Sequence, residues 1–282
     1  MSIIAGIPFI PYIHSGQDVI FFFYAFMRVT GLMLLSPLLA NNNIPRQARV
    51  FLTFLIAVLI ATSLYPDYRG ENPKYFLPEL GTEDNVFLIR LLMTSAKEFG
   101  IGYLIGFFFS SILEGLLFAA QSTSIMMGFS MARLLDPVTG TTQTLLGQLY
   151  MILASLLMVS LDLHHIFIRI LAESFSIVPI GQYQLPYESL AHIVYGSSKM
   201  WHYALRFAAI PYSILFLVTV GLGFMAKIMP EMNIFMVGFP LKIFIGYYGL
   251  IICVGYFPEL FVEAFYEYGQ ITRVILQQLG PG

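Results

Sequence analysis

The sequence predicts an all-α, integral membrane protein. Three observations carry that: 58% of the 282 residues are apolar, 11% are charged, and the apolar residues gather in runs close to a bilayer's thickness. Soluble globular chains carry about 25% charged residues, so fourteen basic and sixteen acidic side chains are too few to solvate a compact body of this size. The mean hydropathy of +0.79 agrees.

A helix crossing the hydrocarbon core needs roughly 20 apolar residues, and residues 19–40, 48–65, 86–119, 143–161, 203–226 and 239–257 come close. A seventh segment, 165–180, is shorter, carries Arg169 and Glu173, and reads as amphipathic. The first apolar segment has no basic residue before Arg28 and is expected to stay in the mature protein. The gap 41–49 carries Arg46 and Arg49 without an acid, whereas 66–85 sets five acids against Arg69 and Lys74. The positive-inside rule makes the first gap cytosolic, six spans then put both termini outside, and the connection with Lys227 and Lys242 returns to the cytosol. Pro66, Pro73 and Pro78 forbid a continuous helix through the polar insertion.

A net charge of -2 without a basic stripe argues against nucleic acid as a partner. The single cysteine, Cys253, cannot form an intrachain disulfide. No triphosphate loop, dinucleotide fingerprint or zinc motif occurs, so no cofactor, metal or catalytic residue is expected. His164 and His165 follow Asp162, but adjacent helical side chains point about 100° apart and make a poor chelate.

Charges inside apolar segments are the first candidate functional residues. Arg28, Glu98, Glu114 and Arg206 would each cost on the order of 3 kcal/mol facing lipid at the midplane, so they must face protein, water or each other. Glu98, Gly102, Gly106, Ser110 and Glu114 recur at i+4, giving a helix face that is small in the middle, with Gly102, Gly106 and Ser110 as packing residues, and acidic at both ends. The segment 121–142 breaks the pattern between two apolar helices. Met126, Met127, Gly128, Phe129 and Met131 give it flexible apolar bulk, Arg133 adds a charge, and Asp136 with Pro137 makes a turn. Irregular backbone at membrane depth needs protein or a cavity around it, so a deformable plug is a plausible use.

The stretches MRVTGLMLLSPLL, IPRQAR, KEFGIGYLIGF, MGFSMARLLDP, DLHHIFIRILAESFSIVPIG and KIMPEMNIFMVGFPLKI, in this order over nearly the whole chain, resemble the FliR family of flagellar export-gate proteins, whose injectisome relatives are called SctT. The resemblance implies a FliP-like portion, residues 1–198 with the plug 121–142, fused to a FliQ-like helical hairpin, residues 199–282. It implies a non-enzymatic subunit in the bacterial inner membrane at the flagellar basal body, with much of the assembled gate on the periplasmic side. Its partners would be FliP and FliQ homologues, FlhB- and FlhA-type proteins, membrane lipid and unfolded export substrates. The alternatives are an injectisome gate subunit and a small-solute secondary transporter. The transporter lacks the expected internal repeat between the two halves, and an intramembrane enzyme using Asp162 and His164 lacks a nucleophile.

Overall fold

A computed structural model describes residues 16–36, 45–68, 84–129, 145–184, 186–231 and 233–281. Among these residues there are eight helices and no strand: α1 (Gly16–Leu35), α2 (Arg46–Tyr68), α3 (Asp84–Met126), α4 (Leu145–Ser160), α5 (His164–Ile177), α6 (Tyr187–Ile228), α7 (Ile234–Val254) and α8 (Phe257–Leu279).

Five stretches are long and apolar enough to cross a membrane: Gly16–Leu35, Arg46–Leu64, Phe87–Met126, Ser189–Ile228 and Met236–Val254. The expected span 143–161 is not one by itself. Its helix α4 has 16 residues, about 24 Å at 1.5 Å per residue, and reaches spanning length only together with α5. The break has a local cause. Leu163 N–H donates to Met158 O at 3.1 Å and Asp162 N–H to Val159 O at 3.3 Å, with Asp162 at φ 54°. This pattern closes a helix through a left-handed residue, and the buried Leu163 and Met158 supply the apolar contact that accompanies it.

Two helices overrun their expected bounds. α3 has 43 residues and α6 has 42, each about 65 Å long, twice the roughly 30 Å of the hydrocarbon core. α2 continues past Pro66 to Tyr68, so this proline stands in a last turn instead of ending the helix. The amphipathic reading of 165–180 matches α5, which buries Phe167, Ile170, Leu171, Ser174 and Phe175 on one side. α8 has no counterpart among the expected elements. It buries Phe257, Leu260, Phe261, Ala264, Phe265, Tyr268 and Thr272 at helical spacing, and its interleaved acids kept it from reading as an apolar run.

The chain forms two compact units. Unit 1 comprises Met1–Ser110, His164–Gly196 and Tyr268–Gly282; unit 2 comprises Ser111–Leu163 and Ser197–Glu267. In unit 1, α1 crosses α3 with backbones in near contact at glycines. A Cβ on Gly102 would overlap the Arg28 carbonyl oxygen, one on Gly106 would stand 2.8 Å from Leu32 O, and one on Gly31 would lie 2.8 Å from Tyr103 N. In unit 2, Tyr150 and Phe207 pack edge-on to Phe257, and the α6 proline Pro211 packs against Gly249 of α7.

Candidate functional site

The most enclosed charge in the described structure is Arg28, in α1. Its side chain is 0% exposed and that of its partner Glu98, on α3, is 1%. Arg28 Nε donates to Glu98 Oε2 at 2.8 Å, and NH2 lies 2.6 Å from the same oxygen. NH1 donates to Ser174 O at 2.9 Å and Ser174 Oγ at 3.2 Å, and NH2 to Val178 O at 2.9 Å. Every guanidinium nitrogen is therefore engaged. The Phe175 ring lies under the cation, 4.2 Å from Cζ to its centroid. The second carboxylate oxygen accepts from Gly181 N–H at 3.1 Å.

This centre ties three elements together. Ser174 and Val178 stand at the end of α5; Ser174 O also accepts from Val178 N–H at 2.9 Å, Val178 O lies past the last helical donors, and a cation there suits the helix dipole. Gly102, one turn after Glu98, lets α3 lie directly on the Arg28 backbone. Ser174, Val178, Gly181 and Gly31 were not singled out from the sequence. All four act through backbone groups or the absence of a side chain, Ser174 through its hydroxyl as well, and the Pro179-to-Gly181 helix stop is the local signal.

The other candidate charges are placed differently. Arg206 NH1 donates to Glu263 Oε1 at 2.5 Å and NH2 to Oε2 at 2.9 Å, but their side chains are 30% and 48% exposed. Glu114 is exposed on the chain, so it is not an enclosed charge. Of the proposed packing stripe, Gly102 and Gly106 touch α1 of the same chain, whereas the Ser110 hydroxyl donates to Phe107 O of its own helix at 3.0 Å. The His164 and His165 rings are not splayed as expected: their centroids lie 4.1 Å apart.

The plug candidates are divided. Met131, Arg133, Asp136 and Pro137 lie outside the described residues, while Met126 is the last residue of α3, Met127 and Gly128 form the turn after it, and Phe129 follows that turn. Gly128, at φ 91°, donates to Ile125 O at 3.0 Å and terminates the helix as a left-handed cap. Met127 is fully buried against α7, where a Cβ on Gly246 would come within 2.7 Å of its Cγ and Cε. A Cβ on Gly128 would likewise meet the Phe239 ring at 2.6 Å. The apolar end of α3 is therefore seated in unit 2, with a glycine at each close approach.

A family profile described as bacterial export proteins, family 1, matches residues 19–268. The chain is 28% identical over 235 residues to the flagellar biosynthetic protein FliR of Bacillus subtilis, covering 82% of this chain and 85% of the relative. It is 25% identical over 225 residues to FliR of Escherichia coli, with 80% of each covered. With FliR of Pectobacterium carotovorum it shares 24% identity over 258 residues, 92% of this chain and 93% of the relative. A match that takes in six of the eight helices whole, most of the first and part of the last shows that the chain belongs to the bacterial export proteins, family 1, the FliR family.

Proposed function

We propose that this chain is a subunit of a flagellar type III export gate, part of the channel that passes unfolded flagellar proteins across the bacterial inner membrane. The observation that carries the reading is the near full-length family match to relatives named flagellar biosynthetic protein FliR. In this role the chain is non-enzymatic and assembles with FliP and FliQ homologues, with FlhB- and FlhA-type proteins nearby, at the flagellar basal body. Residues 1–198 correspond to the FliP-like portion and 199–282 to the FliQ-like hairpin. Two helices twice as long as the hydrocarbon core support a gate that stands partly on the periplasmic side. The segment 121–142 is the closing element, and the seating of Met127 against Gly246 supports an apolar closure, because such contacts are individually weak and replaceable by a passing chain.

Deletion of the gene tests this. The expected result is loss of motility and of secretion of filament proteins, restored by the intact gene. Normal motility with secretion of filament proteins intact overturns the flagellar reading, and loss of virulence-effector secretion instead assigns the chain to an injectisome. Deleting residues 125–134 is expected to raise membrane ion conductance in cells that still assemble the complex; unchanged conductance places the closure on other subunits.

A further inference from the structure

Unit 2 contains a face unsuited to lipid. Lys199, His202 and Arg206 follow one another along α6 within Ser189–Ile228, a stretch apolar enough to cross a membrane. Glu259, Glu263 and Glu267 recur at i+4 along α8. The two rows are laced together. Lys199 Nζ lies 2.7 Å from Glu267 Oε1, Arg206 is forked onto Glu263, and the Tyr203 hydroxyl donates to Glu267.

Apart from the buried Tyr203, none of this is enclosed. His202 and Glu259 are exposed, and the paired side chains keep between 23% and 48% of their surface open. An ion pair half open to acyl chains would lose its water on that side and gain no donor or acceptor in return. Elsewhere on α6 the exposed side chains are of the opposite kind, among them Tyr212, Phe216, Leu217 and Phe224. α8 supports the same division: it is not among the stretches apolar enough to span, most of its apolar residues are buried, and Glu259 and Glu263 are exposed. Two cations against three carboxylates leave the face wet but almost neutral, a surface that holds neither acidic nor basic chain segments strongly.

We infer that the face formed by Lys199, His202, Arg206, Glu259, Glu263 and Glu267 is a wall of the water-filled path taken by the hydrated, unfolded export substrate. This rests on the export-gate reading above, because charges half open within a span-like helix need water at that depth.

The test uses the assembled complex in native membranes. In a Cys253→Ser background, His202→Cys and Glu259→Cys are expected to react with a membrane-impermeant charged maleimide about tenfold faster than Leu217→Cys, since the thiolate that reacts forms only where water reaches it. After denaturation in detergent all three should label at similar rates. Rates at 202 and 259 no faster than at 217 would overturn the inference. A photo-crosslinking residue at position 202 should then give an adduct with an export substrate arrested by a stably folded fusion. Fast maleimide labelling without that adduct also overturns it, since the face would be an outer wet surface. Failure of the gate reading shows separately, as normal motility and secretion in the deletion strain.

Discussion

Two arginine–glutamate pairs with the same chemistry sit in opposite surroundings. In unit 1, Arg28 and Glu98 are enclosed, and backbone groups of Ser174, Val178 and Gly181 complete their bonding. In unit 2, Arg206 and Glu263 also form a fork, yet both remain partly open, and among the described residues the Tyr256 hydroxyl adds a single long hydrogen bond at 3.4 Å. Ion-pair geometry alone therefore says little about energy. A buried pair has lost its water, so its worth is set by how completely protein groups replace it; an open pair keeps its water and gains little from association.

The largest expected effect comes from breaking the enclosed pair. Glu98→Gln leaves the Arg28 charge without a counter-ion in a site closed to water, which costs about 3–5 kcal/mol. The expected outcome is loss of folded protein from detergent extracts, or a large fall in thermal midpoint where some survives. A midpoint within a few degrees of the parent would show that water reaches the site. The double replacement Arg28→Met with Glu98→Leu sharpens the point. Isosteric apolar replacement of a buried pair is often neutral, but here it would orphan Val178 O and Gly181 N–H, at about 1–3 kcal/mol each, while Ser174 O keeps its bond from Val178 N–H. Only partial recovery over Glu98→Gln is expected, and full recovery would mean that the backbone groups find other partners.

How much of this was legible follows from where the information resides. The fold class and six of the eight helices are written in runs of apolar residues, and α5 in its amphipathic spacing. α8 escaped because Glu259, Glu263 and Glu267 interrupt its apolar positions, and a scan for membrane spans discards the pattern that marks an amphipathic helix. Arg28 and Glu98 stood out as charges in apolar stretches, and Gly102 and Gly106 as a small-residue face. That these belong to one crossing was not legible, since the partner sites on Ser174 and Val178 lie 146 and 150 residues away in sequence and act through carbonyls that every residue carries. Gly128 reads in the sequence only as part of a flexible apolar stretch; its positive φ just past α3, which makes it a helix cap, is a backbone property that the residue pattern does not display.

Next in size is the glycine that holds the enclosed pair together. Gly102→Ala places a methyl group on the Arg28 carbonyl oxygen and 3.0 Å from Leu32 N, both backbone atoms that cannot turn aside. The helices must separate, which overpacking data put at about 1–3 kcal/mol. Separation also lengthens the Arg28–Glu98 contact. In a double-mutant cycle, Gly102→Ala is therefore expected to couple to Glu98→Gln, whereas Gly115→Ala, whose added methyl would stand 3.1 Å from Met200 O in unit 2, should be additive with it. Additivity in both cycles would separate the crossing from the charge centre.

The smallest expected effect is on the open pair, and its sign with pH is fixed. The Arg206 guanidinium, through its hydrogen bonds, holds the Glu263 carboxyl below its ordinary value of 4.5. Burial pushes the neighbouring Glu267 up, but hydrogen bonds from Lys199 and Tyr203 outweigh it and leave that carboxyl lowered as well. A carboxyl lowered on folding adds stability that is fully present above its unfolded value and is lost as pH falls through the lower folded value. The contribution of this face should therefore be constant from neutral pH down to about 4.5 and fade below it. Because the side chains are open to solvent, Arg206→Gln is expected to cost only about 0.2–1 kcal/mol at neutral pH. Half-molar salt, with a screening length of a few ångströms, should remove most of that difference. Thermal midpoints of the parent and Arg206→Gln, followed from pH 7 to pH 3.5, should converge at the acid end. A gap that is several-fold larger, or that persists in salt, would mean that Arg206 and Glu263 are enclosed in the assembled complex and belong with Arg28 and Glu98.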